Sequence, residues 1–211
     1  LAFLNGHGKA VNIAVIGGTF DPIHNGHLMV ADAVASKFDA HVIFVPAGQP
    51  WLKAERRLAP ISDRLEMVRL AICGDKRYSL STAETERFGP SYTIDTIRQM
   101  KEQIMPCDEL YFVLGWDSLL GLSHWHEPEA LIQMCRLIAV PRIGYGMPDT
   151  MTMERLVAGL SKRVVIMDKP EIDISSSAIR ERMRTGLPLE NLLPQEVGDY
   201  IKERRLYLYE D

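Results

Sequence analysis

Cysteine is scarce: Cys73, Cys107 and Cys135 are the only three in 211 residues, and no two stand in C-x-x-C spacing. An odd, scattered set argues against a disulfide framework and a structural zinc site, and it suits a reducing cytoplasm. No apolar run approaches the roughly 20 residues that a membrane span requires. Positive charge does not prevail either. Lys and Arg number 24 against 28 Asp and Glu, for a net charge of −4, whereas general nucleic-acid binding calls for a basic face. Two familiar phosphate loops are missing as well: there is no G-x-x-x-x-G-K-[ST], and no G-x-G-x-x-G follows the first strand pattern. Internal repeats and low-complexity segments are absent.

What remains is an ordinary globular composition, 46% hydrophobic and 25% charged, in a chain long enough to bury a substantial core. Residues 11–211 read as a single domain, with a C-terminal helical part from about residue 174 to 211. Residues 1–10, broken by Asn5, Gly6 and Gly8, are too short for a signal peptide and are expected to be poorly structured or trimmed.

Short apolar runs of the kind seen in buried parallel strands recur at 13–16, 41–45, 78–83, 109–114, 136–140 and 164–167. Helical patterns separate them: 26–38, 62–73 with Ser62 as a candidate N-cap, 94–104 with Thr93 as one, 119–122, a helix opened by Pro128, and 151–160. Alternation of this sort predicts an α/β fold, Rossmann-like, with a mostly parallel sheet flanked by helices. Ligand-type residues fall repeatedly just after strands, at 17–27, 47–53, 115–118 and 141–146. A doubly wound sheet collects those ends along one edge, at the point where strand order reverses. One nucleotide cleft is therefore expected.

The most informative stretch is Val11 to Leu28. A strand pattern ends in Gly17-Gly18-Thr19-Phe20, a turn pair Asp21-Pro22 follows, and His24-Asn25-Gly26-His27 leads into a helix. Free N–H groups and the positive end of a helix dipole then face one point, which is the chemistry of an anion site. Two imidazoles three residues apart add donors to it. A second constellation, Ile174-Ser175-Ser176-Ser177-Ala178-Ile179-Arg180, places three hydroxyls at a helix start with a guanidinium one turn on. A metal site built on His24 and His27 would need a nearby third ligand or H-E-x-x-H spacing, and neither is present. No metal ligand is assigned.

The run G-G-T-F-D-P-I-H-N-G-H resembles the signature of the HxGH nucleotidyltransferase superfamily, and I-S-S-S-A-I-R resembles its second signature. G-P-S-Y-T at 89–93, G-W-D-S-L at 115–119, Trp125 and the tail L-L-P-x-x-V-x-x-Y-I are similar to bacterial nicotinate mononucleotide adenylyltransferases. The resemblance covers nearly all of 12–208. It implies an enzyme of NAD biosynthesis that joins the adenylyl group of ATP to nicotinate mononucleotide and releases pyrophosphate. It also implies site residues. His24, His27, Lys53 and Arg180 would be catalytic. Gly17, Gly18, Thr19, Phe20, His24, His27, Ser175, Ser176, Ser177 and Arg180 would bind ATP. Lys53, Thr93, Asp117 and Trp125 would bind the mononucleotide, with Trp125 stacking on the pyridine ring. Mg²⁺ would arrive with ATP.

Two segments depart from the family. Pro50-Trp51-Leu52-Lys53 keeps a cation but lacks the histidine that many relatives place before it, and Pro141 to Gly146, P-R-I-G-Y-G, differs from the commoner R-P-G-Y. No residue is carried over from the latter, and Trp51 and Leu52 receive no role. Alternative acceptors are nicotinamide mononucleotide and other phosphorylated small molecules; a pyridine-stacking Trp argues against a pantetheine chain. A non-catalytic nucleotide sensor is the rival from another class, and retention of both histidines and the basic residues speaks against it. Neither nucleic acid nor membrane is expected as a partner, and oligomeric state leaves no mark in the pattern.

Overall fold

A computed structural model describes residues 10–48, 58–87 and 89–208. Six strands form one sheet: β1 (Asn12–Gly18), β2 (Ala40–Pro46), β3 (Tyr78–Leu80), β4 (Glu109–Gly115), β5 (Arg136–Val140) and β6 (Val164–Ile166). Their order is β3-β2-β1-β4-β5-β6, and every pair is parallel. The chain winds outward from β1 in one direction and from β4 in the other, so the strand order reverses between these two neighbours. A crevice opens beyond the carboxyl ends of strands at such a point.

Helices cover both faces: α1 (Asn25–Phe38), α2 (Ile61–Ile72), α3 (Thr93–Lys101), α4 (Trp116–Leu120), α5 (Pro128–Met134), α6 (Thr150–Leu156), α7 (Ser176–Arg184) and α8 (Gln195–Arg204). Because side chains on a strand alternate in direction, β1 feeds two cores. Ala14 and Ile16 belong to a cluster with Val30, Val34, Met67, Val197 and Ile201, from α1, α2 and α8. Ile13 and Val15 belong to another with Ile94, Ile97 and Leu131, from α3 and α5. Burial on both faces is why β1, β2 and β4 are apolar almost throughout rather than alternating.

The expected strands are all present, though β3 is shorter than 78–83 and β6 stops at Ile166. Helix starts differ more. Ser62 does not cap α2; Pro60 stands at that position and its carbonyl accepts from Asp63 and Arg64 N–H at 3.0 Å each. Thr93 is likewise the first helical residue of α3, and Tyr92 is the N-cap. Gly115 leads directly into α4, so Trp116 and Asp117 lie on a helix rather than on a loop before one at 119–122. The helix expected over 151–160 ends at Leu156, followed by a 3₁₀ turn at Leu160–Lys162. Pro128 opens α5 as expected, where its missing N–H costs nothing. Among the described residues no helix is long and apolar enough to cross a membrane.

The C-terminal part packs on the core rather than beside it, since Ile179, Leu193, Val197 and Ile201 are buried in the same cluster as α1. It also reaches the first helix through polar contacts. The Asn25 N–H donates to the Leu192 carbonyl at 2.9 Å and the Asn25 side-chain amide to the Asn191 carbonyl at 2.9 Å. One helix-start donor that the sequence leaves free for an anion is therefore already engaged.

Candidate active site

The carboxyl ends of β1, β4 and β5 bound two adjoining cavities. One, of about 220 Å³, is lined by Gly17, Phe112, Gly115, Asp117 and Trp125. The other, of about 200 Å³, is lined by Gly18, Thr19, Asp21, the three serines 175–177 and Arg180. His24, His27 and Arg142 line both. The imidazoles thus stand where the two spaces meet.

Local backbone geometry explains how they get there. His24 is the N-cap of α1 in extended conformation, and its N–H donates to His27 Nδ1 at 3.2 Å. An Nδ1 that accepts leaves the proton of a neutral ring on Nε2. The two rings stack, with centroids 3.7 Å apart and an interplanar angle of 21°. His24 is buried, and its Nδ1 has no hydrogen-bond partner among the described residues. Burial, reinforced by the nearby Arg142 charge, pulls its pKa down to about 4. Its ring is neutral at physiological pH.

Gly26 is needed for this packing. A Cβ there would lie 2.7 Å from Ile172 Cγ2 and 3.0 Å from His24 Nδ1. Phe20 buttresses the other ring, meeting His27 edge-on at 5.0 Å. It is buried in the core and lines neither cavity, and Gly18 makes room for it, since a Cβ there would sit 3.2 Å from the Phe20 ring.

The second signature folds onto the first. Ser175 caps α7 by accepting from the Ala178 N–H at 3.2 Å, and Ser176 Oγ donates to the Pro22 carbonyl at 3.0 Å. Arg180 donates to the backbone carbonyl of Asp21, faces the Asp21 carboxylate at 3.4 Å and reaches Ser177 Oγ at 3.3 Å. Of the three hydroxyls, Ser176 therefore holds α7 against the β1–α1 turn, while Ser175 caps the helix itself.

In the other cavity Trp125 is half-buried and meets Phe112 edge-to-face at 5.9 Å. Its indole is braced rather than loose on a surface loop. Asp117 follows shortly after Gly115, whose missing Cβ clears the carboxylate: an added Cβ would stand 2.3 Å from Asp117 Oδ1. Thr93 lines neither cavity. Lys53 and the rest of the 49–57 segment, including Trp51 and Leu52, lie outside the described residues.

Two arginines read differently in three dimensions. Arg64, which in sequence stands just beyond the basic connection after β2 and so looks like one more loop cation, is buried and donates to the carbonyls of Ala59 (3.1 Å), Thr19 (2.9 Å), Ala47 (2.8 Å) and Gly48 (3.4 Å). It ties the ends of β1 and β2 together instead of meeting a ligand. Arg142, set aside because its segment departs from the family pattern, lines both cavities. Its place immediately after β5 and Pro141 is the signal that marks it, the same strand-end rule that marks Asp117.

A Cytidylyltransferase-like family model matches residues 15–182. A probable nicotinate-nucleotide adenylyltransferase of Dehalococcoides mccartyi is 43% identical over 199 residues, 94% of this chain and 98% of the relative. The chain belongs to the nicotinate-nucleotide adenylyltransferase family. Another member, the probable enzyme of Acidothermus cellulolyticus, is 41% identical over 206 residues, 95% of this chain and 96% of its own. The family's fold extends further in sequence. The Plasmodium falciparum nicotinic acid mononucleotide adenylyltransferase complexed with NaAD superposes with a TM-score of 0.76 at 22% identity, over 95% of this chain and 98% of that one.

Proposed function

We propose that this nicotinate-nucleotide adenylyltransferase joins the adenylyl group of ATP to nicotinate mononucleotide, forming nicotinate adenine dinucleotide and pyrophosphate. The observation that carries this reading is the pair of cavities meeting at His24, His27 and Arg142. Two nucleotides that must react through their phosphates need separate seats with one shared cationic, donor-rich boundary. ATP would place its phosphates against Gly18, Thr19, Ser177 and Arg180, and the mononucleotide would take the cavity of Asp117 and Trp125. The indole face suits a flat pyridine ring. Lys53 and Thr93 are proposed to complete the mononucleotide site.

The mononucleotide 5′-phosphate oxygen attacks the α-phosphorus of ATP in line, one P–O bond forms, and the bond to pyrophosphate breaks. The attacking oxygen is already anionic, so no general base is required. Catalysis is then positioning plus neutralisation of charge that builds up on the transferring phosphorus and leaving group. His27 Nε2–H, Arg142 and Arg180 supply donors and fixed charge there, and His24, held neutral, contributes as a polar wall beneath His27. ATP is taken as its Mg²⁺ complex. Among the described residues no three His, Cys, Asp or Glu side chains group to hold a metal, and the Asp21 carboxylate is engaged by protein donors. Phosphate oxygens and water would hold the ion in this reading, as a hard cation allows. The free thiols of Cys73, Cys107 and Cys135 fit a reducing cytoplasm.

The test is turnover of ATP and Mg²⁺ with nicotinate mononucleotide and nicotinamide mononucleotide in parallel, following pyrophosphate and dinucleotide. Nicotinate adenine dinucleotide should form faster than its amide counterpart. Absence of pyrophosphate with every mononucleotide would favour a nucleotide sensor on the same fold.

A further inference from the structure

Tyr207 lies beyond α8, 186 positions from Asp21, yet its hydroxyl donates to Asp21 Oδ1 at 2.7 Å. Two residues in the left-handed region, Arg205 (φ 54°) and Tyr207 (φ 62°), fold the tail back across the sheet edge. Nothing in an L-Y-L-Y ending announces this. The tail is anchored to α2 by Tyr200 and Arg204, which donate to Asp63 Oδ1 at 2.7 and 3.2 Å.

Asp21 is a buried carboxylate in the wall of the serine-lined cavity. An unpaired anion there would repel phosphates and carry a large desolvation cost. Its two oxygens are divided. Oδ1 takes the Tyr207 hydroxyl and the Ala59 N–H at 3.1 Å, which leaves Oδ2 for Arg180 at 3.4 Å. Burial and the facing carboxylate push the Tyr207 phenol well above its ordinary range, so it stays a donor. The carboxylate cannot turn without losing two hydrogen bonds, and it fixes one side of a guanidinium that also donates to the Asp21 backbone carbonyl.

We infer that Tyr207 is a positioning residue of the ATP site, acting through the Asp21 carboxylate to hold Arg180 where it meets the phosphates. The inference rests on the adenylyl-transfer reading above for the identity of the ligand. It makes the far C-terminal turn part of the phosphate clamp, which neither signature motif contains.

A double-mutant cycle tests it, with ATP affinity measured by titration calorimetry on the full chain so that the result stands apart from turnover. Tyr207→Phe should weaken ATP about tenfold, the size expected when a hydrogen bond to a charged group is lost. In an Arg180→Met background the same change should weaken it less than about twofold, because the residue it acts through is gone. The KM for the mononucleotide should be unchanged. Equal fold-changes in both backgrounds, no change in ATP affinity, or a parallel rise in the mononucleotide KM would overturn the inference. If Tyr207→Phe does not fold, Asp21→Asn carries the same cycle against Arg180→Met. ATP binding without dinucleotide formation by the unmodified chain would count against the reaction, while the coupling between Tyr207 and Arg180 would still decide the inference.

Discussion

His24 and His27 stack ring on ring, 3.7 Å between centroids, with the backbone N–H of the first donating to Nδ1 of the second. This arrangement gives the pair unequal work. His27 accepts the His24 N–H at Nδ1 and lines both cavities, while His24 is buried and uncharged, stacked on it. Replacing His27 by Ala should cut kcat by about 10²–10³, the usual cost of losing one preorganised donor to a transition-state anion. Thermal melting should move by no more than a few degrees. Turnover close to that of the unmodified chain would remove His27 from the chemistry.

The depressed His24 pKa has a consequence for acid stability. The unfolded chain takes up this proton near the ordinary value of 6.5, the folded chain only near 4. Its contribution is therefore fully present above 6.5 and is lost as pH falls from 6.5 towards 4, up to about 3 kcal/mol. Urea denaturation of the unmodified chain and of His24→Gln, compared at about pH 7 and about pH 4.5, should show the steeper acid loss in the unmodified chain. Parallel losses would mean that the ring is not held neutral.

Gly26→Ala should be far costlier than an ordinary helical glycine replacement. The new methyl would meet Ile172 and His24 inside van der Waals distance. Overpacking of this kind costs about 1–3 kcal/mol, where an exposed helix would gain stability from the change. Differential scanning calorimetry reads the sign. A stabilised protein would show that the histidine turn is looser than its contacts imply.

Trp125→Ala should raise KM for the mononucleotide about tenfold with little change for ATP, because the indole lines the Asp117 cavity and not the serine-lined one. Steady-state kinetics with each substrate varied in turn separates the two. Equal effects on both would make Trp125 a structural brace on Phe112.

Much of this site is legible in the sequence because strand and motif periodicity are local signals. Gly17-Gly18, His24-His27 and Ser175–Arg180 are each a cluster within about one turn, so they stand out without the fold, and the structure brings them to the same pair of cavities. Contacts made across long sequence separations leave no such trace. Arg64 looks like one more loop cation until four backbone carbonyls are found around it. Tyr207 looks like tail hydrophobicity until its hydroxyl is found on Asp21. Side-chain preference misplaces the helix starts at Ser62 and Thr93, because Pro60 and Tyr92 set the boundaries with their backbone conformation and not with a capping side chain. A family pattern passes over Arg142, although its position after β5 obeys the same rule as Asp117.

The central claim is that an adenylyl group crosses the boundary formed by His24, His27 and Arg142. ATP labelled at the α- or at the γ-phosphorus, incubated with Mg²⁺ and nicotinate mononucleotide, tests it most directly. The α-label should appear in nicotinate adenine dinucleotide and the γ-label in pyrophosphate, and His27→Ala should slow both in step. Transfer of the γ-label to the mononucleotide, or dinucleotide formed as fast by His27→Ala, would contradict the account.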